Sequence, residues 1–412
     1  MRTVSLFVCV LLASVSTAAA DVIAEWNATT LAAVAAGARR GPSGQFDVAL
    51  MNVAMYDAVQ AFEGRFEPYC GSISGATGSP SAAAARAAHA VLVALFPAQT
   101  ATLDAAYAIS VNKYGTAGAA VGEQAAACVL VRLPADNIQR AKPDAFLGGT
   151  APGQWRPNLS ATGAPIPMTA EFIATFTPFA IKSSDEFRVA NHPPFVHSGA
   201  YVKAYNEVKA LGRADPGSDR TEEQTKLARF YADNAVAYWN RGLQGLVDSE
   251  SLSLGDSARM FALVSVAVAD SMITAWDSKI AWNFWRPITA IRNDDGNPLT
   301  EQDPTWTPLV ATPNYPDYTS GANHLSGAAT AMLKNFFGSD KVDLTLTSLT
   351  IPAPDNVRHY SRFSDAAADI VDARIYEGIH FRFADEVARR QGTAIANWIF
   401  SHIMRPVGGR RD

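Results

Sequence analysis

The sequence lacks what would mark a membrane enzyme, a nucleic-acid binder or a strand-built fold. Beyond residue 20, no stretch reads as both free of charge and as long as the roughly 20 apolar residues that a bilayer-spanning helix needs, so no membrane span is expected. Cysteine is scarce, with three in 412 residues. The formal net charge is −5, which argues against a general affinity for nucleic acid or for an acidic membrane surface. Any anion site must therefore be a local exception. No alternating apolar run reads as a strand, and no repeat of fixed period, Gly-rich phosphate loop or Ser-His-Asp order stands out.

What is present begins with a leader. MRTVSLFVCVLLASVSTAAA carries one basic residue, Arg2, then an apolar run, then small residues ending in Ala18-Ala19-Ala20. That order predicts a secretory signal peptide over 1–20, cleaved before Asp21, and a periplasmic or secreted protein. Cys9 lies inside the apolar run and not at its end, which sets a lipoprotein aside. Cleavage leaves 392 residues with a net charge of −6, enough for one large or two medium domains. It also leaves only Cys70 and Cys128. An exported location allows them to pair, and two separate buried thiols fit the composition equally well.

Helical periodicity fills most of the rest. Gln45–Phe62, Ala82–Phe96 and Thr102–Gly115 are rich in alanine, with apolar residues three and four apart, and further helices are expected over 117–133 and 198–210. From 134 to 194 the composition shifts to Gly, Pro, Asn and Asp, which predicts a long irregular connector or lid. Helices then follow over 222–245, 254–286, 322–337, 364–378 and 385–404. The expected fold is all-α, built of bundled helices, with an N-terminal helical half over 21–180 and a C-terminal bundle over 181–412.

Three stretches could carry chemistry. In WDSKIAWNFWRPITAIR, Lys279 and Arg286 are seven residues apart, which puts them on one helical face, and Pro287 ends that helix. Trp276, Trp282, Phe284 and Trp285 crowd the segment, so both cations should be buried and need partners; Asp277 is the nearest candidate. In PDYTSGANHLSGAA, Ser320 reads as a cap and Gly321 as the opening of a helix whose free N–H groups suit an anion. Alone this is an ordinary N-cap. In DARIYEGIHFRFADEVARR, Arg374 lies on a helix and His380 just past a break at Gly378. A lone arginine there is more often solvated, and a lone histidine more often a satisfied core residue.

Taken together, SKIAWNFWRP, YPDYTSG and ARIYEGIHFRF resemble the three-part signature of the vanadium-dependent haloperoxidases and type 2 phosphatidic acid phosphatases, closest to the soluble bacterial haloperoxidase-like branch. The resemblance implies a helical fold and a tetrahedral oxyanion cofactor, vanadate, or phosphate in a phosphatase. Lys279, Arg286 and Arg374 would hold it, with Ser320 Oγ and the Gly321 N–H completing the shell. It implies His380 as the nitrogen ligand to vanadium, or as the nucleophile of a phosphatase. The expected function is peroxide-dependent halide oxidation, with hydrogen peroxide, halide and an organic acceptor as small-molecule partners. An acid phosphatase or a non-catalytic oxyanion binder is the alternative, and a homodimer is compatible with all of these. Trp276 and Tyr315 resemble aromatic residues beside the halide, though ordinary core packing explains them somewhat better. The sequence departs from the pattern at Ala322, where the family usually has an acid-base histidine. His324 lies two residues on, about 200° around a helix, and substitutes only if the helix starts late or distorts. His192 and His197 lack the spacing of a metal site, and His359 with Arg362 does not fit the signature.

Overall fold

The structure is a computed structural model that describes residues 21–214 and 216–408; the expected signal peptide lies outside the described residues. Six helices make the N-terminal half: α1 (Val22–Ala36), α2 (Gly44–Glu63), α3 (Pro80–Leu95), α4 (Thr100–Tyr114), α5 (Ala119–Leu130) and α6 (Leu133–Ala141). Beyond the connector come α7 (Gly199–Leu211), α8 (Glu222–Tyr231), α9 (Ala235–Ser249), α10 (Leu254–Trp282), α11 (Pro287–Arg292) and α12 (Gly321–Phe337). A hairpin of β1 (Lys341–Thr347) and β2 (Val357–Arg362) follows, then α13 (Phe363–Tyr376) and α14 (Arg382–His402). The fold class is all-α, as expected.

α10 is the central rod. By length and composition it could cross a bilayer, but charged residues interrupt it and its apolar window is entirely buried within the protein, as befits a core helix. α2, α12 and α14 pack around it. The main core runs unbroken from Val22 to Met404, across the division expected at residue 180. Alanine makes these close approaches possible: Ala83, Ala84, Ala87 and Ala88 of α3 are fully buried. Cys70 and Cys128 form a disulfide that ties the segment after α2 to α5.

Several elements differ from expectation for local reasons. The helix expected over 222–245 is two, because Asn234 turns its carboxamide oxygen to the Val236 N–H at 2.9 Å and caps α9 instead of continuing α8. α10 stops at Trp282, where Asn283 takes a left-handed conformation with φ 46°, four residues before Arg286. α1 and α6 were not foreseen. The hairpin was missed although DLTLT alternates: Leu344 and Leu346 are both fully buried.

The connector after α6 is irregular, as expected, and the buried carboxylate of Asp270 anchors it by accepting the N–H groups of Phe179, Ala180 and Ile181 at 2.6, 2.7 and 3.0 Å. It drapes over the C-terminal end of α10, where Trp155 N–H donates to the Asn283 carbonyl at 2.8 Å. That end of the rod is where the three sequence motifs meet.

Candidate oxyanion site

Lys279 lies in the last turn of α10 and is fully buried. Its ammonium donates to the carbonyls of Pro316 at 2.7 Å and Asp317 at 3.1 Å, and sits 4.9 Å from the centre of the Tyr315 ring. Asp277, the partner suggested by sequence, instead faces outward to Arg188. Because α10 ends at Trp282, Arg286 does not share a helical face with Lys279. It stands in extended backbone immediately before Pro287, with φ −84° and ψ 157°, as steric pressure from a following proline requires. From there it reaches the same loop: Nε donates to Tyr315 O at 2.8 Å, Nη1 to Ile379 O at 2.7 Å.

His380 follows the break between α13 and α14. Gly378 has φ 78°, and a Cβ there would lie 2.3 Å from the Gly212 carbonyl, so the turn that delivers His380 demands glycine at this position. The imidazole is 2% exposed. Its Nδ1 lies 2.7 Å from Asp317 Oδ1, and its Nε2 lies 3.0 Å from Arg286 Nη1. Burial, reinforced by Arg286, Lys279 and Arg374, drives the His380 pKa well below the usual histidine range. The environment therefore selects a neutral ring with its proton on Nδ1 toward Asp317 and its Nε2 lone pair toward the cations. The carboxyl nearest Nδ1 is that of Asp317, whose own pKa burial raises to about 8 against the pull of Arg286 and Lys279; no local signal pointed there, because the two residues are 63 positions apart.

Ser320 is the N-cap residue of α12, but its hydroxyl caps nothing within that helix. It is buried, lies beside the Asp385 carboxyl, and has no partner in hydrogen-bond geometry. Gly321 opens the helix, where first-turn N–H groups have no intrahelical acceptor. A Cβ on Gly321 would meet Trp276 at 3.2 Å, so the indole packs against the helix start. Arg374, in the last turn of α13, donates from Nη1 to Tyr231 O at 3.0 Å and to Glu377 Oε1 at 2.9 Å.

The structure thus brings Lys279, Arg286, Ser320, Gly321, Arg374 and His380 to one place. Three donors there lack a partner in good hydrogen-bond geometry, Arg286 Nη2, Arg374 Nε and Ser320 Oγ, and so do the carboxyl oxygens Asp317 Oδ2, Glu377 Oε2 and Asp385 Oδ2 beside them, with Ser320 near enough to Asp385 to draw its pKa down against burial. Buried donors normally find acceptors, so three orphans from three elements fit a tetrahedral oxyanion, which presents acceptors in several directions at once.

His324 is not part of this group, and its expected catalytic role needs correcting. α12 starts at Gly321 without distortion, with His324 N–H donating to Ser320 O at 3.0 Å. The side chain therefore turns toward α14, and its Nε2 meets Gln391 Oε1 of that helix at 3.1 Å and Thr319 Oγ1, just before α12, at 2.9 Å, while Nδ1 has no partner. Burial lowers its pKa to about 3, with Lys279 adding to the effect, so it is a neutral packed histidine. The residue on the open face is Ala322. It lines a cavity of about 210 Å³ together with Gly321, Trp276, Tyr315 and Arg374, and no histidine lines that cavity. Trp276 and Tyr315 pack within its wall with ring centres 5.1 Å apart and planes tilted by 52°, so they serve the core and the cavity together.

Two further carboxylates lie near the cations. Glu377 is fully buried, and its pKa rises to about 7 because burial outweighs the pull of Arg374. Asp385, also buried, rises to about 7 for the same first reason, although Ser320, Arg374 and Asn323 draw it down. Elsewhere, His359 pairs with Thr345 on the exposed hairpin and Arg362 with Asp340, and His192 Nδ1 contacts the Pro193 carbonyl. Among the described residues, no group of three or more His, Cys, Asp or Glu side chains is placed to hold a metal ion.

Residues 259–409 match the sequence model of the VCPO second helical-bundle domain. Vanadium chloroperoxidase of Curvularia inaequalis is 28% identical over 39% of this chain; the matched stretch spans 34% of that protein. A bacterial vanadium-dependent iodoperoxidase structure superposes with a TM-score of 0.77 at 24% identity, covering 92% of this chain and 97% of that one. The holo-type structure of a bacterial vanadium-dependent chloroperoxidase superposes with a TM-score of 0.70 at 16% identity, covering 87% and 90%. The resemblance carried by the three motifs is borne out, and the fold is that of the vanadium haloperoxidases.

Proposed function

We propose that the chain is an exported, vanadium-dependent haloperoxidase-like enzyme that oxidises halide with hydrogen peroxide at a vanadate ligated by His380. The observation that carries this reading is the set of buried, partnerless donors, Arg286 Nη2, Arg374 Nε and Ser320 Oγ, gathered around a neutral histidine nitrogen. The haloperoxidase relatives favour vanadate over phosphate. Vanadate, when bound, supplies Lewis acidity toward peroxide without changing its own oxidation state. Export is supported by the leader sequence and by the Cys70–Cys128 disulfide, a bond typical of oxidising compartments.

The chain's own groups hold and orient. Lys279, Arg286 and Arg374 offset the anion's charge; a unit charge pair at 4 Å in a medium of intermediate dielectric is worth about 4 kcal/mol before desolvation is counted. Arg286 donates from a planar fork and Lys279 from a point charge. Asp317 keeps the proton on His380 Nδ1, so Nε2 stays basic toward the anion. Trp276 and Tyr315 exclude water from one side. Overall, peroxide and halide with one proton give hypohalous acid and water: the O–O bond breaks, peroxide is reduced and halide loses two electrons. With alanine at 322, no side chain at that position can supply the proton, which points to slow turnover.

That same absence favours a second reading, an oxyanion binder that turns over little. An acid phosphatase with His380 as nucleophile uses the same geometry. One paired assay separates the three: bromination with peroxide, and p-nitrophenyl phosphate hydrolysis, each with and without vanadate. The haloperoxidase is silent as apoprotein and gains bromination with vanadate. The phosphatase is active alone and inhibited by vanadate. The binder shows only an oxyanion-dependent rise in Tm. If His380→Ala leaves oxyanion affinity and both activities unchanged, the site itself is misassigned.

A further inference from the structure

The cavity beside Ala322 does not end there. A second cavity of about 250 Å³ adjoins it, and the two share Gly41, Pro42, Asn234 and Val236 as a common wall. Together they form one groove, from the exposed face of α1 at its outer end to Ala322 and Arg374 at its inner end. Apart from Arg374 at the inner end, whose Nε is unpartnered, its charged and amide wall groups are committed elsewhere. Arg39 pairs with Asp47 and donates to the Leu95 carbonyl, Asp233 pairs with Arg241, Gln45 donates to the Ser265 carbonyl, and Asn234 caps α9. What remains facing the groove is apolar: Leu31, Val34, Val236, Met272, Leu325 and the Trp276 ring. The missing imidazole at 322 leaves the inner end open next to the anion donors.

We infer that this groove is the seat of an apolar organic co-substrate, an uncharged phenol-like acceptor held beside the oxyanion site. The inference rests on the haloperoxidase reading. It deepens that reading by placing the halogen acceptor on the protein, so that hypohalous acid need not diffuse away to find one. Wall chemistry argues for the class. Outward of Arg374, a charged or strongly polar ligand would find few free partners, whereas an apolar ring buries surface at roughly 25 cal/mol per Å². The transfer balances with reagents already named: an aromatic C–H and hypohalous acid give a C–halogen bond and water, the ring proton leaving with the hydroxyl.

Thymol is a suitable probe, and its binding can be measured by calorimetry without turnover. The tested variants are Ala35→Trp, on the exposed face of α1 at the outer end, and Val236→Trp, in the shared wall. Neither residue is among the oxyanion donors. We expect wild type to bind thymol and each variant to weaken binding at least tenfold while keeping the vanadate-dependent rise in Tm. If Val236→Trp does not fold, Ala35→Trp decides, because that residue is exposed. Equal thymol affinity in wild type and Ala35→Trp, or no binding by wild type, overturns the inference. Vanadate-dependent triiodide formation, which needs no organic acceptor, tests the haloperoxidase reading separately. Its absence in wild type would sink that reading, while the thymol result would still decide the groove.

Discussion

At the scale of single residues, positions 322 and 324 have exchanged the roles that the sequence invites one to assign. The helical rotation between them was legible in advance and gave the condition under which His324 could serve, a late or distorted helix start. The structure fails that condition. His324 therefore belongs to packing between α12 and α14, while Ala322 faces the cavity. Ala322→Val would fill the space without chemistry, whereas Ala322→His restores an imidazole on the open face. Acid-base groups typically contribute about 10² to 10⁴ in rate, so Ala322→His is expected to raise kcat for peroxide-dependent halide oxidation at least tenfold and to introduce a new ionisation into its pH profile. His324→Ala is expected to do neither. It should lower Tm by removing a buried, hydrogen-bonded side chain, at a cost of roughly 1–3 kcal/mol, with kcat little changed. Steady-state rates for the two variants against pH check both statements, and a large kcat loss in His324→Ala would return that residue to the chemistry. The contact between Asp317 and His380 was not legible. In sequence Asp317 reads as a turn residue, and only the fold shows which histidine its carboxylate meets.

At the scale of elements, the site depends on how closely α12 and α14 cross. Two glycines set the approach. A Cβ on Gly327 would lie 2.4 Å from the Arg389 carbonyl oxygen, and one on Gly392 would lie 2.2 Å from the His324 carbonyl oxygen. Both obstacles are backbone, so neither can swing aside. This crossing fixes Ser320 and Gly321, at the start of α12, relative to Asp385 in the first turn of α14, where Asn323 Nδ2 donates to Asp385 Oδ1 at 2.8 Å. Gly327→Ala is therefore expected to cost about 1–3 kcal/mol through overpacking and to weaken vanadate binding, although residue 327 is two helical turns from the anion donors. Thermal unfolding with and without vanadate checks it: a variant with lowered Tm but an unchanged vanadate increment would show that the crossing does not hold the site. Helix existence was largely legible here, because alanine-rich 3.6-residue periodicity is a local signal. Ends were less so. The Asn234 cap and the left-handed Asn283 each stop a helix with a residue that ordinary helices tolerate, and the hairpin's short alternation was masked by neighbouring polar and proline residues.

At the scale of the whole molecule, an acidic protein keeps its cations where they matter by burying an equal number of carboxyls beside them. Lys279, Arg286 and the partly exposed Arg374 face Asp317, Glu377 and Asp385, whose carboxyls are buried. Sequence motifs showed the positive half of this balance because their spacing is specific; the negative half came from turns and helix ends that carry no such pattern. Glu377 makes the consequence testable, since it touches Arg374 but not His380. Its folded pKa, raised to about 7 by burial, exceeds the ordinary value of 4.5. A raised carboxyl gives stability that is fully present below about pH 4.5 and is lost as pH climbs through about 7, because the folded state holds the proton longer. Glu377→Gln lacks that proton, so the Tm of wild type minus that of the variant is expected to fall steadily from pH 4.5 to 7.5 and then level. Ionised Glu377 also competes with an oxyanion for Arg374. Two like unit charges about 7 Å apart at an effective dielectric of about 20 repel by roughly 2 kcal/mol, so the variant should bind vanadate on the order of tenfold more tightly above pH 7 and about equally below pH 5. Comparing the two proteins at each pH cancels the protonation of vanadate itself. A Tm difference that stays flat across this range would mean that Glu377 is ionised throughout and that Arg374 is permanently paired, leaving Lys279 and Arg286 as the only cations free to meet the anion.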